Sequence, residues 1–139
     1  MAHSTPETIA DVLTTTSTWA VVGCSPDPSR DSNRIARLLQ QRGYRVIPVN
    51  PLAREILGER CYPSLTAIPA AEGVEVADVF RRSALAGAHV DEAIATGARA
   101  VWLQLGVIDE AAAQRALDAG LLVVMDRCPA IELPKLAPR

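Results

Sequence analysis

Five short apolar runs, three of them followed by a turn and then by a helical pattern, constrain this chain more than any other feature. They are Trp19 to Val22, Tyr44 to Val49, Val74 to Phe80, Ala100 to Leu103 and Leu121 to Met125. Runs of this length and composition read as strands. Helical spacing lies between them: Ile35, Leu38 and Leu39 within Asn33 to Arg42, and Val90, Ala93 and Ile94 within Leu85 to Thr96. A third helix is expected from an Asp109-Glu110 cap through Ala119, with Gly43, Gly97 and Gly120 as stops. Alternation with short connections gives right-handed crossovers and a parallel sheet. The expected fold is α/β, a single doubly wound domain with five or six strands. Pro48 predicts an irregular end to the second strand, because proline donates nothing to a ladder. A very short edge strand is expected around Arg60 to Tyr62, one helical turn capped by Ser64, and a proline-containing tail after Pro129.

The first run opens the most informative stretch, Trp19 to Ile35. Gly23 ends the strand where a side chain would obstruct a sharp bend or a close ligand. The loop from Cys24 to Asp31 then carries Ser25, Pro26, Pro28, Ser29 and Arg30. Ser32 stands where a helix N-cap is expected, three residues before Ile35. A loop that leaves a strand and feeds a helix N-terminus offers free N–H groups and the positive end of the helix dipole. The expected occupant is the phosphate of a nucleotide-containing ligand. A plain loop whose serines only cap the helix is the simpler alternative.

In doubly wound sheets ligands bind beyond the carboxyl ends of the strands. The exits that converge there are Gly23 to Ser32, Asn50-Pro51, Phe80 to Ser83, Gln104 to Gly106 and Asp126 to Pro129. A dinucleotide turn would read G-x-G-x-x-G, with an acid closing the second strand. Here no second glycine follows Gly23, and Asn50 stands where the acid belongs. That pattern speaks against NAD and leaves another pyrophosphate ligand open. Arg81 and Arg82 at the third exit suit phosphate, or form a solvated loop pair.

Catalytic groups are scarce. His3 falls in an N-terminal tail expected to be loose, and His89 on a helix whose inner face is Val90 and Ile94. Cys24 and Cys128 both follow strand ends and are candidates for one mouth. Cys24 near a helix N-terminus predicts a lowered thiol pKa, and buried packing is the plainer alternative.

Composition narrows the setting. Apolar residues are 49% and aromatic ones 4%, so the core must be built from Ala, Val, Leu and Ile. A net charge of -2 lacks the basic excess of a non-specific nucleic-acid binder. Three scattered cysteines fit neither a disulfide framework nor a zinc site. No signal-peptide pattern or bilayer-length apolar run is visible, and the expected location is cytoplasmic. Thr5-Pro6-Glu7 starts a short helix ending near Leu13, and Thr14 to Thr18 is a polar connector.

The segments 23–32, 46–51, 78–82, 101–106 and 123–128, in this order, resemble the stand-alone CoA-binding proteins of bacteria and archaea. The resemblance implies a Rossmann-like, nucleotide-binding domain over residues 19–139, similar to the N-terminal domain of the succinyl-CoA synthetase α subunit, with residues 1–18 as an N-terminal helix and connector. It implies coenzyme A, or an acyl-CoA, as the ligand. The loop from Gly23 through Cys24, Ser25, Pro26, Ser29 and Arg30 to Ser32 would hold the pyrophosphate, with Ser25, Ser29 and Arg30 in direct contact. Asn50 and Pro51 would border the adenosine. Phe80, Arg81, Arg82 and Gln104 would line the pantetheine or the phosphorylated ribose. The synthetase carries its phosphorylated histidine in a second domain, and this sequence stops before one. Binding without an assignable reaction is therefore expected. The alternatives are an NAD(P)-dependent oxidoreductase and a thiol or CoA-disulfide regulator using Cys24 or Cys128.

Overall fold

A computed structural model describes residues 2–136. Helix α1 (Pro6–Thr15) is capped by the Thr5 hydroxyl, which accepts from Thr8 N–H at 3.1 Å, with Pro6 in the first turn. It runs two residues past the expected end. The hydroxyls of Thr14, Thr15 and Thr16 each donate to the carbonyl four residues back, so the polar connector prolongs the helix.

Five strands follow in one sheet: β1 (Thr18–Val22), β2 (Arg45–Val49), β5 (Val76–Val79), β6 (Ala100–Leu103) and β7 (Leu122–Val124). Their order is β2-β1-β5-β6-β7 and every pairing is parallel. The chain leaves β1 toward β2 on one side and later fills β5, β6 and β7 on the other. The switch point therefore lies between the carboxyl ends of β1 and β5. A separate hairpin of β3 (Glu55–Ile56) and β4 (Glu59–Arg60) turns at Leu57 and Gly58, both at positive φ.

Pro48 does not distort its strand. It sits in register opposite Val21, and its carbonyl accepts from Tyr62 N–H at 3.1 Å on the outer side. The donor that proline lacks would have pointed to that outer side, so the β1 ladder loses nothing. The segment after Ser64 forms turns rather than a helix, with Ala67 N–H donating to the Ser64 hydroxyl.

Strand side chains alternate between two helical layers. Ala20, Val22, Ala77, Val79, Val101, Leu103 and Val123 face α3 (Ser83–Ala95) and α4 (Glu110–Asp118), whose contacts are mostly alanine. Trp19, Val21, Val46, Val76, Trp102 and Val124 face the other layer, built from α1, α2 (Asp31–Gln41) and α5 (Pro129–Glu132). Both tryptophans are fully buried there, with ring centroids 5.4 Å apart. The α5 turn lies where only a tail was expected. Asp109 caps α4 as its position predicts, accepting from Ala112 N–H at 2.9 Å. The N-terminal segment is docked rather than loose: Ser4 N–H donates to Val123 O at 2.9 Å, and Met125 N–H donates to the Ser4 hydroxyl at 2.8 Å. No helix among the described residues is long and apolar enough to cross a membrane.

Candidate functional site

The site begins at Gly23, whose φ is +83°. A Cβ built there would lie 2.8 Å from the Phe80 carbonyl oxygen. The glycine thus lets the first loop cross tightly over the exit of β5. Gly23 N–H donates to Val49 O at 2.9 Å, which binds the same turn to β2. Three strand exits are drawn together at one residue without a side chain.

The loop satisfies most of its own backbone. Cys24 N–H donates to Val49 O, Ser25 N–H to the Ser32 hydroxyl at 2.9 Å, and Asp27 N–H to the Ser25 hydroxyl at 3.1 Å. Ser29 gives both its N–H and its hydroxyl to Asp27 Oδ1, which holds that carboxyl below its usual pKa. Ser32 is therefore not the N-cap. Helix α2 starts at Asp31 with Arg30 as its cap residue, and no side chain caps it. The serine that was expected to cap the helix is turned back to brace the loop. The N–H groups of Asp31, Ser32 and Asn33 consequently have no protein acceptor among the described residues.

Two adjoining cavities occupy this corner. The smaller, about 520 Å³, is lined by Gly23, Ser25, Ser29, Arg30, Asp31, Ser32 and Phe80. The larger, about 670 Å³, shares Asp31 and Phe80 and continues along Ile35, Leu38, Arg81, Arg82, Gln104, Val107 and Cys128. Of the apolar positions Ile35, Leu38 and Leu39, Leu39 is buried in the core with Ala36, while Ile35 and Leu38 are half-buried and form the cavity's apolar wall. Asn50 and Pro51 line a separate groove of about 410 Å³ with Arg54, Arg60 and Cys61. The Asn50 amide is committed to the loop, donating to Cys24 O at 2.9 Å and accepting from Leu52 N–H at 2.8 Å. Pro26 is exposed and lines none of these spaces.

Charge is left open here. Arg30, Arg81 and Arg82 make no salt bridge among the described residues, whereas Arg34 pairs with Asp31. Beside Gln104 sits Asp78, fully buried on β5. Gln104 Nε2 donates to its Oδ1 at 2.7 Å, and its Oδ2 has no partner. Burial pushes the Asp78 pKa up to about 8. An acid in an otherwise apolar strand (Val-Ala-Asp-Val) was the signal that could have drawn attention to it.

The cysteines part company. Cys24 is fully buried, and burial pushes its thiol pKa up to about 12, with Cys61 and Asp78 adding to the rise. The expected lowering by a helix N-terminus is overturned by desolvation. Cys128 instead lines the larger cavity. His89 bonds Glu92 on α3, His3 meets Glu110 at 3.1 Å, and neither lines these cavities. Among the described residues no cluster of three His, Cys, Asp or Glu could hold a metal.

Known proteins are similar in sequence and fold. An uncharacterized protein of Bacillus subtilis, YneT, is 34% identical over 128 residues, covering 92% of this chain and 93% of that one. The solved structure of a hypothetical protein from Pyrococcus horikoshii superposes with a TM-score of 0.89 at 41% identity, covering 95% of this chain and 92% of that chain. An ADP-forming acetate–CoA ligase of Archaeoglobus fulgidus is 40% identical over 73 residues, which is 52% of this chain and 10% of the ligase. The CoA binding domain family matches residues 17–134. With nearly its whole length matched, and with a Rossmann-like parallel sheet, the chain belongs to the CoA binding domain family.

Proposed function

We propose that the protein binds coenzyme A, or an acyl-CoA, across the two adjoining cavities. One observation carries this reading: a polar pocket at an uncapped helix start, with the unpaired Arg30, adjoins an apolar-walled one that also carries the unpaired Arg81 and Arg82. Coenzyme A has that same division, an anionic nucleotide half and a long uncharged amide arm. The diphosphate sits at the start of α2, held by the N–H groups of residues 31–33 and by Arg30. Ser25 accepts from Asp27 N–H and keeps its hydroxyl hydrogen for phosphate, whereas Ser29 turns toward phosphate only by releasing Asp27. Arg81 and Arg82 neutralise the ribose phosphate or the outer diphosphate oxygens, and Phe80 separates the two halves. Asn50, through the loop it braces, and Pro51 beside it border the adenosine, and Gln104 faces the arm. Residues 19–139 form the binding unit, and α1 packs beneath it. The CoA in the ligase's name is carried over; its ligation is not, since the match spans a tenth of that enzyme.

Titration calorimetry at low salt tests the reading. Micromolar binding of CoA with no heat from NAD is expected. Tight NAD binding, or none by CoA, overturns it.

The position of Cys128 in the larger cavity favours a second, compatible reading. Its thiolate would attack the disulfide of oxidised CoA, forming a protein–CoA disulfide and releasing one CoA thiolate. Intact mass after incubation with CoA disulfide tests this. An adduct lost in Cys128→Ser supports it; the absence of any adduct removes it.

A further inference from the structure

Gln104 is 5% exposed, yet it lines the larger cavity. Its backbone is fixed at both ends: Gln104 N–H donates to Val79 O at 3.3 Å, and its carbonyl accepts from Val107 N–H at 2.9 Å. Its side-chain nitrogen is spent on Asp78 at 2.7 Å. Its Oε1 has no protein partner and is not sealed off, so this oxygen is what the residue offers the cavity. Asp78 is fully inaccessible and can touch no ligand. Keeping a carboxyl in an apolar strand is costly, and its second oxygen is left without a partner. Packing alone gives no reason for an acid there.

We infer that Asp78 is a positioning residue: it clamps the Gln104 amide so that Oε1 faces the cavity as a fixed acceptor for an N–H donor of the ligand's amide-bearing arm. This rests on the CoA reading above and deepens it. A primary amide is planar, so anchoring its nitrogen sets the direction of its oxygen. Burial keeps the Asp78 carboxyl largely neutral near pH 7, so the clamp brings no full charge beside an uncharged arm. Along the apolar wall of Ile35, Leu38 and Val107, Gln104 Oε1 is then the directional polar contact that sets the depth and rotation of the arm.

The test compares CoA with adenosine 3′,5′-bisphosphate, which lacks the arm. Gln104→Leu and Asp78→Leu should each weaken CoA binding on the order of ten-fold, the size of one buried hydrogen bond. The double variant should be no weaker than either single one, since both remove the same contact. Affinity for the bisphosphate should stay within about two-fold throughout. Asp78→Asn, which still offers a carbonyl oxygen to Gln104, should restore CoA binding. Losses that add in the double variant, equal losses for both ligands, or unchanged CoA affinity in Asp78→Leu would each overturn the role of Asp78. Failure of the unaltered chain to bind CoA would instead overturn the reading beneath it. If Asp78→Leu does not fold, the Gln104 side-chain amide signal in the unaltered protein decides. A shift with CoA and none with the bisphosphate supports the clamp, and no shift with CoA refutes it.

Discussion

The two ends of the sheet treat charge in opposite ways. At the amino end the charges beside the strand starts are paired within the chain. Arg45 pairs with Glu72 and approaches Glu59 at 3.9 Å, and Arg99 meets Asp11 at 3.4 Å. Glu75 accepts the N–H groups of Ser17 and Thr18 at 2.9 and 3.2 Å. At the carboxyl end Arg30, Arg81 and Arg82 stand unpaired, the start of α2 lacks a cap, and Asp78 keeps an orphan oxygen. One end pairs its charges within the fold, and the other leaves three guanidiniums and a helix start without a protein partner among the described residues. On the proposed function, a ligand completes the second end as the chain itself completes the first.

The sharpest way to break this contrast is at glycine. Gly23→Val forces a β-branched residue into positive φ and against the Phe80 carbonyl. It should cost about 4 kcal/mol in denaturant unfolding, strain and overpacking together, and abolish CoA binding. Gly43, at φ +92° with open space around it, should lose only about 1 kcal/mol as Gly43→Ala and keep binding. Equal losses at the two positions would erase the distinction.

Next in size is the pH dependence set by Asp78. Its folded pKa, about 8, lies above the ordinary carboxylate value of 3.8. From about pH 4 upward the unfolded chain releases this proton while the folded chain keeps it, so this group lowers stability as pH rises toward 8. The slope cannot exceed about 1.4 kcal/mol per pH unit, so the loss from pH 5 to 7 is at most about 3 kcal/mol. Asp78→Asn should flatten that fall when chemical denaturation is followed across pH. A parallel fall in the variant would assign it elsewhere.

Smaller still are the arginine exchanges. Arg30→Ala should weaken CoA binding by about 1.5 kcal/mol, near ten-fold, and leave unfolding within about 0.5 kcal/mol. Arg99→Ala should do the reverse, costing up to about 0.5 kcal/mol of stability from an exposed pair while calorimetry with CoA is unchanged. A binding defect in the second, or a stability defect in the first, would contradict the division of labour between the two ends.

Sequence periodicity carried the architecture because five apolar runs and three glycine-stopped helical patterns each repeat one physical rule several times. Single-residue geometry was less legible. Ser32 is a good cap residue by type, but a hydroxyl accepts from whichever N–H folds onto it, and Ser25 reaches it first. The four residues of α5 are too few for any periodicity to show. The inversion at Cys24 arose because a loop sequence does not say which way a side chain points, and here it points into the core. Ile35 and Leu38 matched the apolar stripe of α2, but a stripe wider than the core contact leaves its margin to line a cavity. Asp78 was in plain view as the one charged residue of a buried strand; its link to Gln104 needed the register between β5 and β6.

The docking of Ser4 against β7 has a consequence for how copies of this protein meet in concentrated solution. An open parallel sheet has two flanks that invite a stranger's strand. One flank is shut by Ser4 on Val123 and Met125, the other by Tyr62 and a proline that offers no donor. Trimming the chain back past Ser4 would expose the first flank and invite aggregation without disturbing a single residue of the binding corner.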